Sequence, residues 1–368
     1  MAKNENLNFI LSNLSQLSHT GDMLISVKRA IFSISDNAYY SNASVLFESL
    51  RNHETTADLF NFSPSQKVIF SDASIISLSI SELRLTHEDF LLIERKTNVI
   101  EIATALKPFA FQFLQNLGYE SVIYLDPDIY VLSNFDSLFL KHPEIEILLT
   151  PHRYGPVSSP RGKYLDLDLL SYGVFNLGFL RITTSPLTRD MLSWWSERTL
   201  HFSGNNRFDR EFTDQKWMNL VTLYFRIQVV RLLGVNVAPW NLDENHIHKI
   251  DGKYAIDEAN PLIFIHFSQQ SHLLKDGNLN YRWYETLDLS QSECSESLKL
   301  VEEIAHSYNN DLGRFLHRLQ PSLPRKKTTS LRHLFYTRLY KRSFAIQGFN
   351  KGFREDLARL TKRLISIE

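Results

Sequence analysis

The stretch Val122–Val131, VIYLDPDIYV, decides the fold and points to the site. Its first half belongs to Ser121–Leu125, a β-branched and aromatic run that is typical of a buried strand. Asp126 and Asp128 follow where this strand ends. Ligands of open α/β sheets bind outside the carboxyl ends of the strands, so both carboxylates are expected beside a ligand. Because hard divalent cations prefer oxygen ligands and relieve carboxylate repulsion, the pattern favours a metal site over a solvated turn.

Strand-like and helix-like segments alternate through the first 270 residues. This alternation is typical of an α/β fold with a mixed, mainly parallel sheet. The predicted strands are Ala30–Ser35, Lys67–Ser71, Ser121–Leu125, Ile145–Thr150, Val174–Ile182 and Leu262–Phe267, with a hairpin turn at Asp251–Gly252. The predicted helices are Ser41–His53, Glu101–Leu117, one from Ser185 and Pro186 to Leu200, one capped by Thr213, and Ser295–Leu319.

Composition limits the classes of protein to which the chain can belong. It has 368 residues, 43% of them apolar, which excludes fibrous and wholly disordered proteins. One cysteine, Cys294, excludes a disulfide framework and any cysteine-cluster metal site, and it fits a reducing compartment. Without a membrane-length apolar run or a secretion-signal pattern, we expect a cytoplasmic location.

The charge is unevenly distributed along the chain. Residues 321–368 hold 12 Lys/Arg and 3 Asp/Glu of the chain totals of 40 and 41, which leaves 28 against 38 in residues 1–320. The basic tail carries aromatic anchors such as Phe335 and Tyr336, so it is expected to meet an anionic membrane surface peripherally, on the inner face. A solvated basic helix is the alternative. An acidic body without a recognition motif predicts no binding of nucleic acid.

A family resemblance starts at the string YLDPD, which is preceded by a helix containing Lys107. It resembles the Asp-x-Asp region of glycosyltransferases with the GT-A fold and is most similar to family 8 and related bacterial transferases. In that family the two aspartates hold Mn²⁺ or Mg²⁺ against the diphosphate of a nucleotide-sugar donor. The resemblance therefore implies Asp126 and Asp128 as metal ligands, with His266 after the last buried strand as the third ligand.

The segment Ser35–Tyr39, SDNAY, is similar to the family's nucleobase-binding segment. By that resemblance Asp36 would accept a hydrogen bond from a uracil imide, and Tyr39 would stack on the ring. Ala38 departs from the family, which often has asparagine at this position. The alternative is an Asp36 helix cap with a packing tyrosine.

Two further segments match in the family's order. Phe175–Gly178 resembles the strand that places an asparagine beside the donor sugar, which implies Asn176 and Gly178 as donor-binding residues. Glycine permits close backbone approach and asparagine offers both a donor and an acceptor, although the same letters also fit a strand bulge. The segment Phe212–Asn219 resembles the Asp-Gln region near the anomeric carbon.

The pattern departs from the family after His266. Where family members have glycine and then lysine, this chain has Gln269 and His272. The cationic contact to the diphosphate would then fall to Lys107 or to Lys275, and spacing does not decide between them.

The implied reaction is transfer of a sugar from a nucleotide diphosphate donor, expected to be a UDP-hexose, to a hydroxyl of a saccharide or lipid-linked glycan. Family 8 implies retention, with the catalytic residues Gln215 or Asp214 beneath the anomeric carbon. An inverting enzyme would need a carboxylate base, for which Asp209 and Glu211 are available. Thr150–Arg153 and the polar stretch that follows it through Leu170 are assigned to the acceptor or phosphate side.

Two alternatives stay open. One is a nucleotide-sugar-binding protein with weak or no turnover, which the departures after His266 keep open. The other is a haloacid-dehalogenase-like phosphatase in which Asp126 is the nucleophile and Asp128 the general acid, although Tyr130 stands where that motif has Thr or Val. The domain boundaries are predicted as an N-terminal extension, 1–28, a GT-A domain, 29–290, and a helical, basic extension, 291–368.

Overall fold

The computed structural model describes residues 27–316 except 84, 95, 97, 157–161, 205–212, 226, 269–273, 276–277 and 280–291. All of these belong to the first of two units into which the chain divides, Met1–Pro321 and Ser322–Glu368. The predictions for residues 1–26, Asp209, Glu211, Gln269, His272 and the basic tail lie outside the described residues, as does the side chain of Lys275. The domain boundaries stay a prediction.

A six-stranded sheet in the order β3-β2-β1-β4-β7-β6 forms the centre of the first unit. Every strand runs parallel to the others except β7, which is antiparallel to both β4 and β6. This confirms the predicted α/β class with a mixed, mainly parallel sheet. The first seven strands are β1 Arg29–Ile34, β2 Asp58–Ser63, β3 Ile75–Ser79, β4 Ser121–Leu125, β5 Ile129–Val131, β6 Ile147–Pro151 and β7 Phe175–Thr183.

Helices pack on both faces of the sheet around two large apolar clusters. Their bounds are α1 Tyr40–Asn52, α2 His87–Glu94, α3 Val99–Asn116, α4 Ser137–Leu140, α5 Gly162–Tyr172, α6 Pro186–Phe202, α7 Met218–Tyr224 and α8 Ser292–Leu316. The remaining strands are β8 His248–Ile250, β9 Lys253–Asp257, β10 Asn260–Pro261, β11 Phe264–His266, β12 Leu274–Lys275 and β13 Asn278–Leu279.

Local sequence explains why α6 begins where it was predicted. The Ser185 hydroxyl accepts a hydrogen bond from the Thr188 N–H at 3.2 Å, and Pro186 occupies the first helical position, where its missing N–H costs nothing. The helix then buries Met191 and Trp195 in an apolar cluster that includes residues of α3, on which it packs. Burial of such side chains contributes roughly 1.5–3 kcal/mol each, so the helix is stabilised by packing as well as by its cap.

One predicted strand is wrong. Residues 67–70 form no strand, although Val68 and Phe70 are buried and Ile69 between them is 83% exposed. The alternating burial that favours a strand is present, but no neighbouring strand pairs with this segment among the described residues. The strands that fill this part of the sheet are β2 and β3, which the sequence analysis missed.

A two-stranded ribbon brings the end of β4 to a distant part of the chain. β5 pairs antiparallel with β11, so that Ile129 lies opposite His266. The Phe267 N–H also donates to the Asp128 carbonyl at 2.9 Å. The ribbon therefore places His266 beside the two aspartates that follow β4.

The hairpin and the C-terminal helix agree with their predictions. Asp251 and Gly252, at φ +49° and +76°, form the turn between β8 and β9. Helix α8 packs on α1, where the Tyr308 hydroxyl accepts from Asn42 at 2.9 Å and Arg314 pairs with Glu48 at 2.6 Å. Within the described part of the chain, no helix has the length and apolar character needed to cross a bilayer.

Candidate metal and donor site

Asp126, Asp128 and His266 form a compact group of metal-ligand type. One ligand atom from each lies within 4.8 Å of the others. The His266 Nε2 is 3.1 Å from Asp128 Oδ1 and 3.6 Å from Asp126 Oδ2. Two carboxylates and an imidazole suit a divalent ion such as Mn²⁺, so the donor set fits the metal that the family resemblance implies.

Strand β7 fixes the position of this group through a backbone hydrogen bond to Asp126 and a close approach to His266. The Asp126 N–H donates to the Gly178 carbonyl at 2.9 Å, so the turn after β4 is anchored to β7. A Cβ on Gly178 would lie 2.5 Å from Cε1 and 2.6 Å from Nδ1 of the His266 ring. Glycine is required here because the imidazole occupies the space of a side chain.

Gly178→Ala is expected to displace the His266 ring. The clash is expected to force repacking at a cost of about 1–3 kcal/mol, and any Mn²⁺ bound by the three groups would be held more weakly, because the imidazole leaves the two carboxylates. Gly313→Ala on α8 is the matched control, since a Cβ there meets no atom within 4 Å. The control is expected to gain about 0.5–1 kcal/mol of stability from helix propensity. Urea unfolding and Mn²⁺ titration measure both effects, and unchanged Mn²⁺ affinity in Gly178→Ala would contradict the geometry.

Lys107 is a buried cation between two aspartates. Its Nζ lies 2.7 Å from Asp214 Oδ2 and 3.5 Å from Asp126 Oδ1, and it donates to the Leu177 carbonyl at 3.2 Å. Burial alone would lower the pKa of Lys107, but the carboxylates of Asp126 and Asp214 raise it, and the net direction is upward. Lys107 is therefore an ammonium that links α3 to both aspartates.

Tyr124, which the sequence analysis did not single out, orients Asp126. Its hydroxyl donates to Asp126 Oδ1, and the Lys107 Nζ lies 4.2 Å from the centre of its ring. Burial, followed by the negative charge of Asp126, raises the pKa of Tyr124 well above its ordinary value, so it stays a neutral donor. The sequence does contain a signal for this contact. Tyr124 and Asp126 are two positions apart, and residues two apart along a strand point to the same face.

The Asp-Gln segment begins differently from its prediction. Thr213 has φ +45° and caps no helix; Asp214 precedes a single 3-10 turn, 215–217, that leads into α7. Asp214 is 2% exposed, and its carbonyl accepts from Trp195 Nε1 at 3.2 Å. Gln215 donates through Nε2 to the Tyr172 carbonyl at 3.0 Å. The structure thus brings Asp214 to Lys107, while the Gln215 side chain contacts the end of α5.

The predicted nucleobase residues lie at the end of β1. Asp36 Oδ1 accepts from the Ala38 N–H at 3.0 Å and caps the short turn 37–39, so the capping alternative is present in the structure. Tyr39 is 44% exposed. Partial burial, followed by the charges of Asp128 and Asp126, raises the pKa of Tyr39. Tyr39 therefore lies within electrostatic reach of the metal-ligand group.

Polar side chains form a hydrogen-bond network on the Nδ1 side of His266, and most of this network was not predicted from the sequence. Asn176 accepts from the Gly178 N–H at 2.9 Å and contacts His152 Nε2 at 3.3 Å. Asn236 lies between Asn176 and His266, at 3.0 and 3.2 Å respectively. No sequence motif marks Asn236, because its partners come from distant parts of the chain.

Arg153, in the segment assigned to the acceptor or phosphate side, is buried. The Arg153 guanidinium is 3% exposed, forms two hydrogen bonds to Asp243 at 2.6 and 2.8 Å, and donates to the Trp240 carbonyl. The cation is therefore held by protein groups. The second Asp-x-Asp pair, Asp166 and Asp168, lies exposed on α5.

Comparison with known proteins gives distant relatives. No family model matches the chain. It is 25% identical over 234 residues to the uncharacterized protein YfnF of Bacillus subtilis (strain 168), covering 61% of this chain and 76% of YfnF. It is 28% identical over 246 residues to the uncharacterized protein YfnD of the same organism, covering 64% and 73%.

Among solved structures, the chain is similar to the galactosyltransferase LgtC in complex with donor and acceptor sugar analogues. The TM-score is 0.43 at 14% identity, covering 73% of this chain and all of that one. It is also similar to the glycosyltransferase GlyE of Streptococcus pneumoniae TIGR4, with a TM-score of 0.42 at 16% identity, covering 81% of this chain and 66% of that one.

Proposed function

We propose that this chain is a metal-dependent glycosyltransferase that moves a sugar from a nucleoside diphosphate donor to an acceptor hydroxyl. The observation that carries the proposal is the Asp126, Asp128 and His266 group at the carboxyl end of β4. It lies where an open α/β sheet binds its ligand, and its donor set suits a divalent ion that bridges carboxylates and phosphates.

Asp126, Asp128 and His266 would hold Mn²⁺ or Mg²⁺. When bound, the ion would act as a Lewis acid that stabilises negative charge on the leaving diphosphate. The two carboxylate oxygens of Asp126 make different contacts. Oδ1 contacts Tyr124 and Lys107, and Oδ2 faces His266. Tyr124 and Lys107 therefore fix the carboxylate so that Oδ2 points into the ligand group.

The donor would extend from this group toward Tyr39 and Asp36. The half-exposed Tyr39 ring offers a stacking surface for a nucleobase, which supports a UDP-hexose as donor. Asn176 and Gly178 lie on β7, where the Gly178 carbonyl accepts from the Asp126 N–H. They are the residues proposed to lie beside the sugar.

We assign the catalytic positions to Gln215 and Asp214, with retention of the anomeric configuration. The ion pair between Asp214 and Lys107 supports this assignment, because it holds the start of the Asp-Gln segment 2.7 Å from the Lys107 Nζ, which itself lies 3.5 Å from Asp126 Oδ1. The acceptor is proposed to be a saccharide or lipid-linked glycan. The proposed location is cytoplasmic, with the basic segment 321–368 at the inner membrane surface.

A binding protein without turnover is the second candidate. It is favoured by the environment of Lys107, which is 4% exposed and committed to two aspartates. A buried ammonium of this kind is a weaker partner for a diphosphate than an exposed one.

A panel of nucleotide sugars with Mn²⁺ separates these candidates. We expect one UDP-hexose to raise the melting temperature and to release UDP, with both effects lost on chelation of the metal. Tight UDP binding without product from any donor and acceptor would instead favour the binding protein. A trapped phospho-aspartate at Asp126 would favour the phosphatase alternative and contradict the transferase.

A further inference from the structure

The His266 ring contacts a buried asparagine on the side away from the aspartates. Asn236, 1% exposed, places Oδ1 3.2 Å from His266 Nδ1. Trp240 packs edge-on against the imidazole, with ring centres 5.6 Å apart at 89°. These contacts hold the plane and the rotation of the ring, and the hydrogen bonds around Asn236 determine which of its amide atoms faces Nδ1.

The direction of every hydrogen bond in this network follows from one backbone donor. The Gly178 N–H can only donate, so the atom of Asn176 at 2.9 Å from it is the amide oxygen. Asn236 approaches that same oxygen at 3.0 Å and must therefore present its Nδ2 group. Its amide orientation is fixed, and Oδ1 is the atom that faces His266.

The far end of the network agrees with this assignment. With its oxygen toward Gly178, Asn176 presents Nδ2 to His152 Nε2 at 3.3 Å, so that nitrogen must be an acceptor. The other nitrogen of His152 then donates to the Val174 carbonyl at 3.3 Å. Burial lowers the pKa of His152 to about 4, which keeps this ring neutral as the network requires.

We propose that Asn236 is a positioning residue that holds His266 in the tautomer with hydrogen on Nδ1, which presents the Nε2 lone pair to a metal ion beside Asp126 and Asp128. It rests on the proposed metal site, because in the absence of a metal Nε2 also faces an acceptor, Asp128 Oδ1 at 3.1 Å, whereas a bound ion would take the Nε2 lone pair and leave the hydrogen on Nδ1 for Asn236 Oδ1. Hydrogen-bonding partners of a ligating histidine are known to affect metal affinity by about 10- to 100-fold.

The tautomer is measured on the wild-type chain loaded with Zn²⁺, a diamagnetic divalent ion. Long-range ¹H–¹⁵N correlation, with His266→Gln to assign the signals, is expected to show hydrogen on Nδ1 and none on Nε2. Hydrogen on Nε2 of the loaded chain would overturn the proposal. A wild type that binds no divalent ion contradicts the proposed function instead, so the two failures are distinguishable.

The substitution Asn236→Gly tests the consequence. Asn236 has φ +55°, a conformation that glycine adopts without strain and alanine does not, so glycine removes the side chain with the least backbone cost. We expect the dissociation constant for Mn²⁺ to rise by about 10- to 100-fold. Affinity within about twofold of the wild type would contradict the positioning role.

Asn245→Ala is the matched control. Asn245 is a buried asparagine of the same loop that hydrogen-bonds to the Gly234 N–H and the Asn241 carbonyl but has no contact with His266. It is expected to lower the unfolding midpoint while leaving Mn²⁺ affinity unchanged. An equal loss of affinity in both variants would assign the effect to the loop as a whole and overturn the specific role of Asn236. Should Asn236→Gly fail to fold, the wild-type tautomer still decides the question.

Discussion

Asp128→Asn is expected to lower Mn²⁺-dependent turnover of the donor by about 10³-fold. The substitution keeps the shape of the side chain and removes the charge that faces His266 Nε2 at 3.1 Å. A bound metal contributes several kcal/mol of charge stabilisation, and each 1.36 kcal/mol corresponds to a factor of ten in rate. Because the Asp128 side chain is 17% exposed, the fold is expected to survive, and steady-state release of the nucleotide measures the loss.

The chain supplies its own control for this experiment. Asp168→Asn changes the second aspartate of the exposed Asp-x-Asp pair on α5, with the same chemistry at a position outside the metal-ligand group. Turnover of Asp168→Asn is expected to match the wild type. Normal turnover in Asp128→Asn, or an equal loss in both variants, would contradict the assignment of Asp126 and Asp128 to the metal.

Lys107→Met is expected to destabilise the chain by about 3–5 kcal/mol. The substitution preserves most of the apolar stem but leaves Asp214, with a side chain 3% exposed, as a buried charge without its cation. Removing one partner of a buried pair typically costs this much, because the remaining charge has lost both water and its counter-ion. Urea unfolding monitored by tryptophan fluorescence measures the change.

A second substitution separates the loss of the pair from the loss of packing. In Lys107→Met with Asp214→Asn, the unpaired charge is removed, so the double variant is expected to recover a large part of the stability. Lys249→Met breaks the exposed pair with Glu303, 2.6 Å apart, and is expected to leave the free energy of unfolding nearly unchanged, because solvent screens exposed charges. A double variant as unstable as the single one would show that the ion pair is not the cause.

The metal-ligand group could be predicted from sequence because its information is local. YLDPD joins a continuous apolar strand to its two carboxylates, and the structure has that strand at the predicted bounds, Ser121–Leu125. The prediction of His266 comes from the family resemblance, which implies a histidine ligand after the last buried strand. Its proximity to Asp128 depends on the pairing of β5 with β11, which the sequence analysis did not predict.

The missed features depend on contacts between distant residues. β2 has the sequence DLFNFS, in which the polar Asn61 and Ser63 are fully buried and interrupt the apolar run that would have marked a strand. Asn61 exchanges hydrogen bonds with Ser35, which directly follows the neighbouring strand β1 and lies 26 positions away. Asn236 could not be predicted for the same reason, since its hydrogen bonds are made to Thr150, Asn176 and His266, all distant in the sequence.

Titration of the purified chain with Mn²⁺, with free Mn²⁺ followed by electron paramagnetic resonance, tests the central claim most directly. We predict one Mn²⁺ per chain, bound more tightly when UDP is present, and loss of this binding in Asp128→Asn with retention in Asp168→Asn. Absence of Mn²⁺ binding by the wild type, or binding that Asp128→Asn leaves unchanged, would contradict the proposal that Asp126, Asp128 and His266 hold the metal of a nucleotide-sugar transferase.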